Sequence, residues 1–235
     1  MNDCNASFKL LLMKKLLFSP LLLLFISAMP LKKTRIIFFG DSITAAAIEK
    51  NGYIDHIQVN LANVGLGKDY ELIGSGIGGN KVYDLYLRME EDVLDRKPDI
   101  VVIYIGINDV WHKTSHGTGT DKDKYEKFYA AIIKKLQAKK IKVVLCTPSV
   151  IGELKNGTNP QDEDLDAYSA VIRSLSTTYD CTLVDLRTAF INYENSNNKE
   201  NKDSGVLTTD RVHLNDAGNK LVAGQLMQRL FKTAE

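Results

Sequence analysis

The sequence predicts a three-layer α/β/α fold built on a doubly wound, five-stranded parallel sheet. Apolar strand-like runs alternate with helix-like stretches from residue 35 onward, and the longest run, residues 100–105, is continuously apolar. Alternation of this kind is typical of a sheet covered by helices on both faces, and a continuous apolar run indicates a central parallel strand. Right-handed crossovers then favour a flavodoxin-like layout. The expected strands are residues 35–39, 70–73, 100–105, 141–146 and 182–185.

The helices are expected between these strands. Ile48, Ile54, Ile57 and Leu61 keep roughly helical spacing, which predicts one helix over residues 45–63. Residues 111–120 are rich in Thr, Ser and Gly and are predicted to form a polar loop, as is the segment 147–160. The remaining helices are expected over residues 82–94, 124–139, 162–179, 186–193 and 216–232.

Composition limits the protein to few classes. The chain has 235 residues with 44% hydrophobic content, which suits one domain with a substantial core. Its 30 basic and 29 acidic residues give a formal net charge of +1 without a basic stripe, so nucleic acid is not an expected partner. Three cysteines cannot build a disulfide framework, and Cys146 and Cys181 are expected to be buried thiols.

The first 28 residues are predicted to be a signal peptide. Lys14 and Lys15 precede a short apolar stretch that runs to Ile26, and the small residues Ser27 and Ala28 follow it. The apolar stretch is too short for a comfortable membrane span, and an uncleaved anchor is the minority alternative. We therefore expect an exported protein, periplasmic or secreted, with a catalytic domain over residues 29–235 and no stable membrane insertion after cleavage.

Chemically active residue types follow the strands. Ser42 lies on a tight turn between the first strand and a helix, and Asn108 directly follows the third strand. Because the carboxyl ends of parallel strands meet at one edge of a sheet, these side chains are expected to lie together. His213 could serve there as a general base for the serine hydroxyl, and Asp210, three residues earlier, could orient the imidazole ring.

Attack of a serine on an ester carbonyl creates a negatively charged oxygen that needs hydrogen-bond donors. The backbone N–H groups of Ser42 and Gly79 and the side-chain amide of Asn108 are candidate donors. One such donor typically contributes on the order of 3 kcal/mol to the barrier. Gly79 lies in a glycine-rich turn after the second strand, where we expect a side chain to crowd the substrate.

Four short blocks together resemble the SGNH (GDSL-type) hydrolase family. The blocks are residues 40–44 (GDSIT), 76–80 (GIGGN), 106–109 (GIND) and 210–214 (DRVHL), in the family's order. The resemblance implies an ester hydrolase with a flavodoxin-like fold and without metal or cofactor. It assigns Ser42 as nucleophile, Gly79 and Asn108 as oxyanion donors, and Asp210 with His213 as the remainder of a triad. It does not select the substrate.

Several residues allow other interpretations. Residues 74–79 also fit the dinucleotide pattern G-x-G-x-x-G, although that pattern belongs on a first strand. The spacing of His112 and His116 could form half of a metal site if they were helical. Asp41, Asp109 and Asp185 are expected to hold turns. Candidates for the substrate pocket are Trp111, His112, Val150 and Ile151.

Export and a tryptophan-bearing loop favour an esterase that removes short acyl groups, chiefly acetyl, from carbohydrates. The partner would then be a small-molecule or carbohydrate ester, and the sequence leaves the oligomeric state open. Two alternatives remain: a lysophospholipase or thioesterase with a longer apolar groove, and a carbohydrate-binding module on the same scaffold without turnover.

Overall fold

A computed structural model describes residues 32–231 of the chain. The predicted signal peptide, residues 1–28, lies outside the described residues. Among residues 32–231, no helix combines the length and the apolar character that crossing a membrane requires.

The predicted α/β fold with a five-stranded parallel sheet is confirmed. Every neighbouring pair of strands is parallel, and the order across the sheet is β2-β1-β3-β4-β5. β3 and β4 lie inside the sheet, and nearly all their residues are buried, as their apolar runs predict. The strands are β1 (Thr34–Gly40), β2 (Tyr70–Gly76), β3 (Ile100–Tyr104), β4 (Lys142–Cys146) and β5 (Thr182–Val184).

The helices cover the two faces of this sheet. The connection from β1 to β2 runs in the opposite direction to all later ones, so right-handed crossovers place its helix on the opposite face. The contacts between helices agree with this division into two layers. Residues 53–63 pack on residues 216–230 on one face, whereas residues 82–89 pack on residues 122–138, and these contact residues 162–178, on the other. The helices are α1 (Ser42–Ala46), α2 (Tyr53–Asn63), α3 (Val82–Met89), α4 (Ile107–Ser115), α5 (Lys122–Ala138), α6 (Asp162–Thr178), α7 (Leu186–Asn197) and α8 (Asp216–Leu230), and α3 continues as a π-helical turn, Glu90–Leu94.

One helix prediction and one loop prediction were wrong. The stretch predicted as one helix over residues 45–63 is divided into α1 and α2, because Asn51 adopts a left-handed backbone conformation (φ 67°). Ile48 lies in that break and is 56% exposed rather than buried. Residues 111–115 of the predicted loop 111–120 are helical and form the second half of α4. This helix is stabilised because Ile107 and Val110 pack in the core.

The register of the sheet places the ends of the inner strands side by side. Gly40 at the end of β1 pairs with Gly76 of β2 and with Tyr104 of β3, and Tyr104 pairs with Cys146 of β4. The residues that follow these positions therefore emerge at one edge of the sheet. Cys146 is buried and Cys181 half-buried, and both are free thiols.

Candidate active site

Ser42 opens α1 immediately after β1. Asp41 caps this helix, since its Oδ1 accepts a hydrogen bond from the Ile43 N–H at 3.0 Å, which confirms the predicted turn-holding role of Asp41. Glycine is needed at position 40 because Thr44 and the backbone of Tyr104 approach it closely, not because of an unusual φ angle. A Cβ atom at Gly40 would lie 2.3 Å from Thr44 Oγ1 and 2.4 Å from the Tyr104 carbonyl oxygen.

A chain of hydrogen bonds joins Ser42 to His213 and Asp210. Ser42 Oγ lies 2.9 Å from His213 Nε2, and His213 Nδ1 lies 2.7 Å from Asp210 Oδ2. Asp210 Oδ1 also accepts the backbone N–H of His213 at 2.7 Å, which fixes the carboxylate against the ring. The structure thus brings together three residues that are separated by as many as 171 positions in sequence.

Asp210 and His213 are more exposed than the serine side of the site. Their side chains are 53% and 39% exposed, respectively. Partial burial alone would raise the pKa of Asp210, but hydrogen bonds from the side chain and backbone of His213 and from the Val212 N–H hold this pKa below its ordinary value. The carboxylate therefore remains charged and accepts from Nδ1–H, which leaves Nε2 as the proton acceptor.

Glu153 anchors the segment that carries these two residues, and sequence reasoning missed it. Its buried carboxylate accepts backbone N–H groups from Val206 at 2.7 Å, from Leu207 at 2.7 Å and from Thr208. The Gly152 N–H adds a bond to the Arg211 carbonyl oxygen at 2.8 Å. A glutamate that collects backbone donors more than 50 positions away leaves no local sequence pattern.

The candidate oxyanion donors follow the ends of β2 and β3. Asn108 lies in the first turn of α4, and its Nδ2 donates to the Asn80 carbonyl oxygen at 3.1 Å. Gly79 has φ +76°, and a Cβ atom there would meet no protein atom within 4 Å. The left-handed backbone conformation alone therefore favours glycine at this position, and the crowding of the substrate by a side chain stays a prediction.

Two buried carboxylates lie beneath the site. Asp41 is 2% exposed and Asp109 is fully buried. Burial raises the pKa of Asp41 to about 7, with a further contribution from the charge of Asp109, and burial raises the pKa of Asp109 to about 6. Asp109 accepts the Val82 N–H at 3.2 Å and so joins α4 to α3. Asp185, in contrast, caps α7 as predicted.

The predicted pocket residues divide into two groups. Trp111 and His112 lie on α4, half-buried, in the turn that follows Asn108. Val150 and Ile151 are only 1% and 2% exposed. They belong to the core, because the loop after β4 is held against the Arg211 segment, so the expected apolar wall is not on the surface.

The geometry gives little support to a dinucleotide site at residues 74–79 or to a metal site at His112 and His116. Gly74 and Gly76 are part of β2, so the spaced glycines do not form a single phosphate-binding turn. His112 lies on α4 and His116 caps its end, with ring centroids 4.3 Å apart. Over residues 32–231, no group of three or more His, Cys, Asp or Glu side chains is arranged to hold a metal ion.

The sequence is similar to a known family of ester hydrolases and to two bacterial proteins. The profile of the "GDSL-like Lipase/Acylhydrolase family" matches residues 38–221. An acetylxylan esterase from Geobacillus stearothermophilus is 30% identical over 213 residues, which cover 83% of this chain and 93% of that protein. An uncharacterized lipoprotein, YqeF of Bacillus subtilis strain 168, is 25% identical over 83% of this chain and 90% of its own.

Solved structures agree with these relatives. The crystal structure of AlAXEase, an acetyl xylan esterase, superposes with a TM-score of 0.82 at 58% sequence identity and covers 83% of this chain and 98% of its own. The matched profile includes the Ser42 turn, the Gly79 turn and the Asp210–His213 segment. The chain therefore belongs to the GDSL-like lipase/acylhydrolase (SGNH) family and is a carboxylic ester hydrolase.

Proposed function

We propose that the protein removes acetyl groups from an acetylated carbohydrate, of the xylan type, through an acyl-enzyme on Ser42. The observation that carries the catalytic assignment is the hydrogen-bonded chain from Ser42 Oγ through His213 to Asp210, with distances of 2.9 Å and 2.7 Å. The acetyl and carbohydrate assignment is supported by the two acetylxylan esterases, one of which is 58% identical to this chain.

The reaction follows from this geometry. His213 Nε2 takes the proton of Ser42 Oγ as the oxygen attacks the ester carbonyl carbon, and Asp210 stabilises the imidazolium that forms. The carbonyl oxygen becomes negatively charged and accepts bonds from the N–H groups of Ser42 and Gly79 and from Asn108 Nδ2. The Asn108 amide has two N–H groups, so its bond to Asn80 leaves one for the substrate.

Collapse of this intermediate breaks the bond to the sugar oxygen. His213 Nε2–H donates its proton to that oxygen, the sugar alcohol leaves, and acetyl-Ser42 remains. Water then attacks the acetyl carbon while His213 takes its proton, and return of that proton to Ser42 Oγ releases acetate. The position of Trp111 and His112, one turn beyond Asn108, supports their role as the border of the sugar or acyl site.

The test of this proposal is hydrolysis of 4-nitrophenyl esters from acetate to decanoate, together with acetate release from acetylated xylooligosaccharides. Ser42→Ala serves as the inactive control. We expect Ser42-dependent turnover that favours acetate. A preference for long chains would overturn the acetyl assignment in favour of a lipase or thioesterase role, and folded protein without turnover would favour a binding module.

A serine-reactive phosphonate isolates the role of the base. We expect covalent labelling of Ser42 that is lost in His213→Ala and retained in His56→Ala. His56 is a suitable control because it lies on α2 and pairs with Asp216 at 3.2 Å rather than with Ser42. Equal labelling of both variants would contradict the assignment of His213.

We also propose export of the protein. Support comes from the lysines, the short apolar stretch and the small residues of the first 28 positions, and from the lipoprotein relative. No cysteine lies between that stretch and Cys146, so a lipid anchor on a cysteine next to the apolar stretch is not expected. N-terminal sequencing of protein recovered outside the cytoplasm should begin near residue 29, and retention of the leader in a membrane fraction would contradict cleavage.

A further inference from the structure

Arg88 lies on α3 behind the candidate oxyanion donors, and its guanidinium makes hydrogen bonds through all three nitrogen atoms. Nε donates to Asn80 Oδ1 at 2.7 Å, and Nη1 donates to Ser75 Oγ at 3.1 Å and to Asp92 Oδ2 at 2.6 Å. Nη2 donates to the carbonyl oxygens of Gly40 at 2.8 Å and Ser75 at 3.1 Å. This one side chain therefore holds five acceptor atoms.

These acceptors belong to separate parts of the active site. Gly40 ends β1 two residues before Ser42, Ser75 lies near the end of β2, and Asn80 follows Gly79. The backbone carbonyl of Asn80 in turn accepts Asn108 Nδ2 at 3.1 Å. Arg88 and Asn80 thus connect the three segments that carry the candidate oxyanion donors.

We infer that Arg88 is a positioning residue for the oxyanion hole: through Asn80 and the Gly40 carbonyl it fixes the Gly79 and Asn108 donors relative to Ser42. This inference rests on the proposed function of these donors. Arg88 acts through other residues, because its donors are directed to Gly40, Ser75, Asn80 and Asp92.

Arginine is the side chain that this arrangement requires. A guanidinium offers five N–H donors in a fixed plane, whereas a lysine ammonium offers three from a single point. The Arg88 side chain is only 15% exposed, its centre lies 4.4 Å from the Phe39 ring centroid, and Asp92 balances its charge. Loss of Arg88 would leave the carbonyls of Gly40 and Ser75 without these donors at the point where β1 meets β2.

The chain provides a matched control at the opposite end of the same two strands. Arg35 at the start of β1 donates through Nε to Glu71 Oε2 of β2 at 2.8 Å, and through Nη1 to the Arg96 carbonyl oxygen. Arg35 and Arg88 both bridge β1 and β2, but only Arg88 reaches the edge that bears Ser42. The kinetics of Arg35→Ala therefore show how much kcat falls when an arginine bridge between β1 and β2 is lost away from the active site.

The experiment compares the steady-state kinetics of Arg88→Ala, Arg88→Lys and Arg35→Ala on 4-nitrophenyl acetate. A displacement of about 1 Å at a reacting centre can cost on the order of 100-fold in rate, so we expect kcat to fall roughly 10- to 100-fold in both Arg88 variants. KM should change far less, because oxyanion donors act mainly in the transition state. Guanidinium added below denaturing concentrations should partly restore kcat in Arg88→Ala and not affect Arg35→Ala.

A double-mutant cycle with Asn80→Ala tests the connection through Asn80. This variant keeps the Asn80 carbonyl that Asn108 contacts but removes the acceptor of Arg88 Nε. If Arg88 acts through Asn80, the losses in kcat should combine to less than the product of the single effects. If Arg88→Ala does not fold, Arg88→Lys decides, since it retains the charge but cannot occupy the five acceptors.

Three results would overturn the inference. In the Arg88 variants, kcat could fall no more than in Arg35→Ala, or KM could rise while kcat stays unchanged. The third result is full activity of a folded Arg88→Lys. Failure of the proposed function itself is distinguishable, because the native protein would then show no turnover that depends on Ser42.

Discussion

The two halves of the active site are built by different means. The Ser42 half, with Gly79 and Asn108, follows the ends of adjacent parallel strands above buried Asp41 and Asp109. The His213 half lies on an irregular segment before α8, and its Asp210 side chain is 53% exposed. Strand pairing fixes the first half. The second is held by backbone hydrogen bonds and by one buried carboxylate, Glu153, that binds consecutive backbone N–H groups.

This difference determines where mutations should show their effect. Charges buried beneath the Ser42 half lie in a low-dielectric region, so they should influence how stability depends on pH. The exposed Asp210–His213 pair contributes little to stability, since solvent screens exposed ion pairs, but it is aligned for proton transfer. The pH dependence of stability should therefore report on the buried carboxylates of the first half, and kinetics on the exposed pair of the second.

The largest expected effect is the catalytic loss in Asp210→Asn. Asparagine keeps the shape of the side chain but presents a neutral amide to Nδ1, so it favours the wrong ring tautomer and does not stabilise the imidazolium. We expect kcat for ester hydrolysis to fall by about 10³- to 10⁴-fold, with the free energy of unfolding changed by less than about 0.5 kcal/mol.

Asp216→Asn is the matched control for this kinetic measurement. Asp216 begins α8 three residues after His213, and its side chain is 52% exposed, nearly the same fraction as for Asp210. It pairs with Lys220 at 2.7 Å rather than with His213. A comparable fall in kcat in both variants would show that the Asp210 effect is not specific to its contact with the ring.

The next effect in size concerns the anchor of the histidine half. In Glu153→Gln the amide group would face either the Val206 N–H or the N–H groups of Leu207 and Thr208, so buried donors lose their acceptor. Hydrogen bonds to charged groups contribute about 1.5–3 kcal/mol each, and we expect the free energy of unfolding to fall by roughly 3–4 kcal/mol in urea denaturation. Folded protein should also show a lower kcat.

Glu163→Gln provides the comparison for this variant. Glu163 lies exposed in the first turn of α6, so its substitution should change the free energy of unfolding by less than about 0.5 kcal/mol. If Glu153→Gln is as stable as Glu163→Gln, the segment before α8 does not depend on its carboxylate anchor.

The same division explains what could be predicted from the sequence. Ser42 and Asn108 could be placed together because parallel strands end at one edge, which strand patterning alone reveals. Glu153 could not, because it binds backbone N–H groups more than 50 positions away, which any residue supplies. Arg88 could not, because its role depends on the fold bringing the Gly40 carbonyl, 48 positions away, next to Ser75 and Asn80. Their roles appear only when the chain is folded.

The errors in local structure have identifiable causes. The break between α1 and α2 contains Asn51-Gly52, a turn signal that the helical spacing of Ile48 and Ile54 concealed. The polar composition after Trp111 suggested a loop, yet α4 forms because Ile107 and Val110 bury one of its faces. Gly117, with φ +66°, marks the end of α4 and was the available signal.

The smallest expected effect is a change in the pH dependence of stability in Asp41→Asn. The pKa of Asp41 is raised from 3.8 to about 7 in the folded protein, so between about pH 4 and pH 7 the folded state retains a proton that the unfolded state has released. Stability contributed by this group therefore falls as pH rises through that window. Asparagine can still cap α1 but does not titrate. We expect the free energy of unfolding of the variant, relative to the native protein, to increase by roughly 2–4 kcal/mol from pH 4 to pH 8.

Urea denaturation at each pH measures this difference, with Asp69→Asn, an exposed carboxylate before β2, as the reference. The Asp69 variant should follow the native protein across the range. A constant difference between Asp41→Asn and the native protein would mean that the carboxylate beneath Ser42 is charged throughout, because only a group that binds its proton more tightly in the folded state produces the slope. The burial of Asp41 would then be compensated by its hydrogen bond from Ile43 and by His213, and the Ser42 half of the site would carry a permanent negative charge next to the nucleophile.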